Sequence, residues 1–317
     1  MRINAAREAE RIVARIRRII FQRLKRSGAV IGVDGGINSS VVAFVCARAM
    51  GRERVLALFT PEMESSPDSL RLGRMVAEAL GAQFTVEDIS PALKAARCYQ
   101  RRDEALRRAV PEYGDGYRCK IVLPSLHDPP CDALYSVVVQ APDGRTKWVR
   151  LSAEVYSSIV AAANFRQRAA KMMEYYYADL LHYAVAGAPN RLEYDQGFFV
   201  KNGDGAADVN PIAHLYNSQV YHLAAYLGVP EEIRRRPPTT DTYPLERSQD
   251  SYSILPFETM DMCLYGKNNG IPAADLSAAI GLDADQVQRV YAAIQAKRKA
   301  AQYLRAAPVL VGEVSEV

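Results

Sequence analysis

Residues 34–40 read Asp-Gly-Gly-Ile-Asn-Ser-Ser and lie between a short apolar run, 29–33, and a longer one, 41–50. A strand that enters a glycine turn and leaves it as a helix gathers unpaired backbone N–H groups and the positive end of a helix dipole at one point. Those are the requirements of a phosphate site. Gly35 and Gly36 let backbone approach an anion, and Ser39 and Ser40 add hydroxyl donors. The loop lacks both the GK[ST] of a Walker loop and the GxGxxG of a dinucleotide fingerprint, so taken alone it suits a capped turn as well as a phosphate. No other set of residues competes with it. His127, His182, His214 and His222 show no metal-ligand spacing beyond the separation of the last two, and the five cysteines are scattered without CxxC. Neither a disulfide framework nor a zinc cage is implied, and a cytoplasmic protein is expected.

The elements that must position this loop follow from periodicity. Over 5–25 the residues Ile12, Val13, Ile16, Ile19, Ile20 and Leu24 recur at three- and four-residue steps, predicting one amphipathic helix that Ser27-Gly28 ends. Strand 29–33, the glycine turn and helix 41–50 follow. The pattern repeats as strand 55–59, a helix over 68–80 stopped by Gly81, and strand 84–89. This alternation predicts a doubly wound parallel sheet flanked by helices. Residues 98–151 break the rhythm: 133–140 and 146–151 flank Pro-Asp-Gly-Arg, which predicts a β-hairpin inside an inserted segment. A helix over 155–181, a strand at 183–187 and a C-terminal helical region over 245–317 complete a single domain spanning 1–317.

The 317 residues are 49% hydrophobic and 24% charged, and no run approaches the roughly 18 apolar residues of a membrane span. Disorder, a fibre and a membrane protein are excluded. Forty basic residues against 36 acidic leave a net charge of +4, which supplies no argument for nucleic acid.

The glycine loop, Asn164-Phe-Arg-Gln-Arg168, the stretch 190–220 with Gly-Phe-Phe-Val-Lys-Asn-Gly-Asp-Gly-Ala-Ala-Asp at 197–208, Leu-Gly-Val-Pro at 227–230 and Pro-Thr-Thr-Asp at 238–241 together resemble the ammonia-dependent NAD synthetases. The similarity runs in the same order over nearly the whole chain. The family belongs to the adenine-nucleotide pyrophosphatase group, with an alpha-hydrolase-like fold and an SGGxDS loop. It implies an ATP-dependent amide ligase: ATP adenylates the nicotinate carboxylate of deamido-NAD, pyrophosphate leaves, and ammonia attacks the acyl-adenylate. No protein nucleophile is expected. The resemblance further implies Mg2+, free ammonia with no glutaminase domain in this chain, and a homodimer.

Residue by residue, the resemblance places Arg168, Lys201, Asp208 and, through Ala-Lys-Arg-Lys at 296–299, Lys297 against deamido-NAD. It makes Glu193 a metal ligand and sets Gly35, Gly36, Ser39, Ser40 and Thr239 against ATP. Four ATP-side positions depart from the family: Asp34 replaces the loop serine, Asn38 the metal-binding aspartate, Ala188 a threonine and Asn217 a lysine that meets phosphate. Opposed unit charges about 4 Å apart are worth about 4 kcal/mol at an effective dielectric of about 20, so these changes weaken ATP·Mg2+ binding. Asp34, at the strand end, offers a carboxylate in place of the one missing at Asn38. Residues 247–266 also lack the family's acidic SDE segment, keeping Asp250 between Gln249 and Ser251. Two alternatives follow from these departures: a catalytically impaired paralogue that binds a dinucleotide, and a ligase for another carboxylate.

Overall fold

The computed structural model describes residues 1–122, 135–236, 255–312 and 314. Its centre is a four-stranded sheet built from β1 (Ala29–Gly32), β2 (Val55–Phe59), β3 (Gln83–Val86) and β7 (Ala184–Val185), all parallel, in the order β3-β2-β1-β7. Alternate side chains decide what covers each face. Ala29, Ile31, Val55, Ala57 and Ala184 join the core of α1 (Ala5–Arg17), α2 (Ile37–Met50), α3 (Pro67–Leu80) and α8 (Asn217–Leu227). Val30, Leu56, Leu58 and Val185 pack instead on Ala178, Met173, Tyr177 and Leu181 of α6 (Ala153–Leu181). The two faces are thus wound by different helices, as the alternation predicts.

Two short helices, α4 (Ser90–Ala95) and α5 (Cys98–Ala109), lead to a separate antiparallel sheet of β4 (Arg118–Val122), β5 (Ser136–Gln140) and β6 (Thr146–Arg150). Its Cys119, Ile121, Val137 and Val139 bury against Leu106 of α5 and Val155 and Ile159 of α6. Helix α6 therefore serves two cores, its first half lying on the small sheet and its second half on the large one. Helices α7 (Arg191–Gln196), α9 (Glu231–Arg235), α10 (Phe257–Asn268), α11 (Ala273–Ile280) and α12 (Ala284–Arg305) follow. A third core joins Leu192 of α7 to Met260, Leu264, Leu276, Val290 and Ile294.

Several boundaries differ from the sequence reading. The first helix stops at Arg17 and continues as a π-helical turn, Arg18–Arg23, which keeps Ile20 buried beside Ile12 and Ile16. Helix α2 starts at Ile37, ahead of the apolar run, because its first turn is polar: Ser40 Oγ donates to the Gly36 carbonyl at 2.6 Å. Strand β3 ends at Val86, and Asp88 Oδ1 then accepts from Ser90 N at 2.8 Å and Ser90 Oγ at 2.5 Å as the chain turns into the next helix. Beside the hairpin β5–β6 stands β4, whose alternation of charged and apolar residues is too short to read as a strand on its own.

Candidate active site

Going from β1 the chain winds outward through β2 to β3, then returns to place β7 on the other side of β1. Such a reversal opens a crevice beyond the carboxyl ends of the two central strands, where doubly wound sheets hold ligands. The loop after β1 is the glycine loop, and the loop after β7 leads to Asn190 and α7. Both converge on this crevice.

The glycine loop is held by its own polar groups. Asp34 Oδ1 accepts from Gly36 N at 2.9 Å and from Ser39 Oγ at 2.5 Å. Gly35 takes φ +75°, and a Cβ there would overlap Leu72 Cβ on α3. Gly36 is the N-cap of α2 and has no side chain with which to cap it, so the first-turn N–H groups are left for a ligand. The opposite wall is the start of α7, where Asn190 and Glu193 form a capping box: Glu193 N donates to Asn190 Oδ1 at 3.0 Å and Asn190 N donates to Glu193 Oε2 at 2.9 Å.

Asn38 joins the two walls. Its Nδ2 donates to Glu193 Oε1 at 3.1 Å and Oε2 at 2.9 Å, while its Oδ1 is buried without a hydrogen-bond partner among the described residues. Burial pushes the Glu193 carboxyl up to about 7, with the charges of Asp204 and Asp34 adding to it and the Asn190 and Asn38 hydrogen bonds opposing. Asp34 thus acts on Glu193 through charge, whereas the contact itself is made by Asn38.

The other residues that the resemblance sets against ATP are spread wider. Ala188 packs beside the first core in the loop after β7. Asn217 is buried at the start of α8, where Asn217 N and Ser218 N donate to the two oxygens of Asp261 at 3.2 and 2.8 Å; this helix N-terminus already holds an internal carboxylate. Thr239, Gln249, Asp250, Ser251 and His127 lie outside the described residues.

The residues that the resemblance sets against deamido-NAD form a second group around 197–208. Arg168 Nε donates to the Lys201 carbonyl at 3.2 Å. Lys201 Nζ donates to the carbonyls of Tyr303 (2.9 Å) and Ala306 (3.1 Å) at the end of α12 and lies 4.2 Å from the Tyr303 ring centre. Asp208 accepts from Val185 N at 2.7 Å and from the Tyr175 hydroxyl at 3.3 Å, tying this loop to the end of β7. Lys297 lines a small cavity with Leu192, Gln196, Phe198 and Met260, its Nζ 4.7 Å from the Phe198 ring centre, and burial lowers its pKa to about 8. Arg298 grips Asp195 with two hydrogen bonds of 2.8 and 2.7 Å, so α12 backs the whole loop.

Three groups near the crevice escape sequence reasoning. Asp204, pushed up to about 6 by burial, accepts from Val200 N at 2.7 Å; it stands inside the motif at 197–208 but carries no spacing signal of its own. Lys171 and Glu174 form a buried ion pair on α6, and two charges interrupting an apolar stretch at helical spacing were the available clue. Glu62, in the loop after β2, accepts from the Tyr99 hydroxyl at 2.6 Å and pairs with Arg166, while Arg102 holds Glu64 with bonds of 2.5 and 2.7 Å. These contacts fasten α5 to the carboxyl edge of the main sheet. Among the described residues no group of three or more His, Cys, Asp and Glu side chains is arranged to hold a metal, and no helix is long and apolar enough to cross a membrane.

Comparison with known proteins adds to this geometry. A family model described as NAD synthase matches residues 8–110 and 145–303. The interval it skips holds β4 and β5. The chain is 54% identical over 315 residues to an NH(3)-dependent NAD(+) synthetase of Mesorhizobium japonicum, covering 99% of both chains. It is 54% identical over 318 residues to the protein of the same name from Rhizobium meliloti, covering 100% of this chain and 95% of the other. In fold the chain is similar to an NMN synthetase from Francisella tularensis (TM-score 0.67, 19% identity, 98% of this chain and 99% of the other). It is also similar to an NH3-dependent NAD synthetase from Campylobacter jejuni (TM-score 0.64, 20% identity, 98% and 100%).

Proposed function

The chain belongs to the NAD synthase family, and from that premise we propose that it is an ammonia-dependent NAD synthetase, converting deamido-NAD, ATP and ammonia to NAD, AMP and pyrophosphate. The observation that carries the reading is the crevice between β1 and β7, where the uncapped start of α2 faces Glu193 across the Asn38 hydrogen bonds. Backbone N–H groups at that helix start bind the polyphosphate and orient the α-phosphorus. The nicotinate carboxylate oxygen attacks phosphorus and the bond to pyrophosphate breaks. Ammonia then attacks the acyl carbon, and AMP leaves with the former carboxylate oxygen while the nitrogen sheds its proton to solvent. Both steps are positioning and charge-balancing tasks, which is why the site needs no nucleophilic side chain.

The donors present fit a magnesium ion, which is commonly held by one or two carboxylates and the substrate's phosphates. Glu193 supplies the carboxylate, and Asn38 Oδ1, buried and without a partner among the described residues, is a neutral oxygen beside it. Bound there, the ion would offset phosphate charge. Arg168, Lys201, Asp208 and Lys297 are assigned to the dinucleotide, Thr239 and the glycine loop to ATP. Exposed Phe165, Met172, Tyr176 and Leu180 along α6 support a homodimer through that helix. The buried free thiols Cys46, Cys98, Cys119 and Cys263 accord with a reducing cytoplasm.

The test is incubation of the purified protein with deamido-NAD, ATP, magnesium and ammonium, with chromatography for AMP and NAD. Equal amounts of both products are expected. AMP and NAD no higher than in a mock preparation would refute the reading and leave the impaired paralogue; AMP release with another acid and not with deamido-NAD would transfer the activity to that acid.

A further inference from the structure

The last turns of α12 stand against the segment that the resemblance sets on the dinucleotide. A Cβ on Gly197, which takes φ +70°, would stand 2.6 Å from Ala301 Cβ and 3.1 Å from Leu304 Cδ1. The Lys201 ammonium donates to the carbonyls of Tyr303 and Ala306. In the same stretch Arg305 turns back onto α7: its Nη1 donates to the Tyr194 carbonyl at 2.7 Å and to the Asp195 carbonyl at 3.1 Å, and its guanidinium carbon lies 5.8 Å from the Tyr194 ring centre. The Tyr194 ring centre is in turn 6.3 Å from that of Phe199. Arg305 lies just past residue 303, where the match to the family model ends, so kinship assigns it no part in the reaction.

Helix α7 is six residues long. A helix of that length closes too few internal hydrogen bonds to hold itself, and its last carbonyls have no partner within it. Its two ends are secured by different means. At the amino end the capping box and the Asn38 hydrogen bonds fix Glu193. At the carboxyl end a guanidinium meets the negative pole of the helix dipole and serves two carbonyls with one nitrogen. Arg298 grips the Asp195 side chain, whereas Arg305 holds the backbone from which the turn at Gly197 departs. Loss of the Arg305 contacts would therefore loosen the Gly197–Lys201 turn and leave Asn38, Glu193 and the glycine loop joined as they are.

We propose that Arg305 is a positioning residue for deamido-NAD: by fixing the carboxyl end of α7 it holds 197–201, with Phe198, Phe199 and Lys201, in the arrangement that the dinucleotide meets. The inference rests on the function proposed above and deepens it on the dinucleotide side. Arg305 acts through the backbone of α7, and its effect is to spare the dinucleotide the cost of ordering the turn on binding.

The test compares the parent with Arg305→Met and with Arg305→Lys, which keeps the cation and loses the planar fork. Arg305→Met should bind deamido-NAD about tenfold more weakly in calorimetry and raise its KM by a similar factor, the size of a lost hydrogen bond from a charged group. The KM for ATP and the affinity for ATP with magnesium should stay within about twofold of the parent's, because that wall of the crevice is secured separately. A readout that needs no ligand is amide hydrogen exchange, where residues 197–206 of the methionine variant should exchange about tenfold faster while those of α8 keep the parental rate. The lysine variant should fall between the other two in both measurements. Parental affinity for deamido-NAD in Arg305→Met would overturn the proposal, and so would equal losses for both substrates, which mark a general loss of stability. Weakened binding without faster exchange at 197–206, or a lysine variant further from the parent than the methionine one, would overturn it as well. A parent that binds deamido-NAD and makes no NAD fails the assigned reaction and leaves calorimetry to decide the role of Arg305; a parent that binds no deamido-NAD overturns both.

Discussion

Asn38→Asp places a second carboxylate at the centre of the crevice, and its cost without metal can be worked from the structure. The amide nitrogen that now donates to both oxygens of Glu193, at 3.1 and 2.9 Å, becomes a second acceptor. Two carboxylates about 3 Å apart repel by about 5 kcal/mol at an effective dielectric of about 20. Glu193 starts at about 7 because it is buried and near Asp204 and Asp34. A folded-state pKa raised above the unfolded value of 4.5 means stability that is full below about pH 4.5 and is lost as pH climbs through 7. For the parent that loss is about 3 kcal/mol. In the variant the pair shares one proton and keeps it to higher pH, so the decline continues beyond pH 7. Magnesium held by this pair in the folded state alone should return about 1 to 3 kcal/mol at tens to a hundred times its dissociation constant. Thermal unfolding from pH 5 to 9, with and without magnesium chloride, reads all of this. The expected result is a variant several degrees less stable than the parent at pH 8, and a larger rise on adding magnesium. A variant that follows the parent at every pH and gains no more from magnesium would refute the geometry assigned to Asn38 and Glu193.

Other substitutions test separate parts of the structure. Burial lowers the Lys297 pKa from 10.5 to about 8, so its charge costs stability at neutral pH and the cost fades as pH rises through 8; Lys297→Met should stabilise the fold at pH 7 by about 2 kcal/mol while weakening deamido-NAD binding measured by calorimetry, and a destabilised variant would contradict the burial argument. Gly35→Ala places a Cβ against Leu72 at a positive φ, and a loss of about 1 to 3 kcal/mol in chemical denaturation is expected; an unchanged midpoint would mean that the loop is not seated on α3. Tyr176→Glu, on the exposed face of α6, should shift the sedimentation profile from dimer to monomer, whereas a parent that is already monomeric removes the support drawn from that face.

How much of this was legible beforehand depends on the range of the physics involved. The strand 55–59 and the Gly81 helix stop were read to the residue, because burial on both faces and a left-handed C-cap leave marks within a few positions. Helix α2 begins ahead of its apolar run because its first turn, Asn38 to Ser40, is polar and so breaks the apolar pattern. The antiparallel sheet shows its hairpin through Pro-Asp-Gly-Arg, while β4 pairs with a strand across a connection outside the described residues. Motif resemblance named Glu193 and Asn38 individually. That the amide of one would bridge both oxygens of the other is a fact of two loops meeting at a sheet reversal, which no local pattern encodes. Lys171 and Asp204 went unread for the same reason: each matters through what the fold sets beside it.

In the proposed reaction a carboxylate oxygen attacks the α-phosphorus of ATP at the crevice between β1 and β7. Deamido-NAD labelled with oxygen-18 in its nicotinate carboxylate tests this step directly, by mass spectrometry of the nucleotide formed with ATP, magnesium and ammonium. The account predicts one labelled oxygen in AMP and none in pyrophosphate. Label in orthophosphate or pyrophosphate, or unlabelled AMP formed alongside NAD, would contradict it.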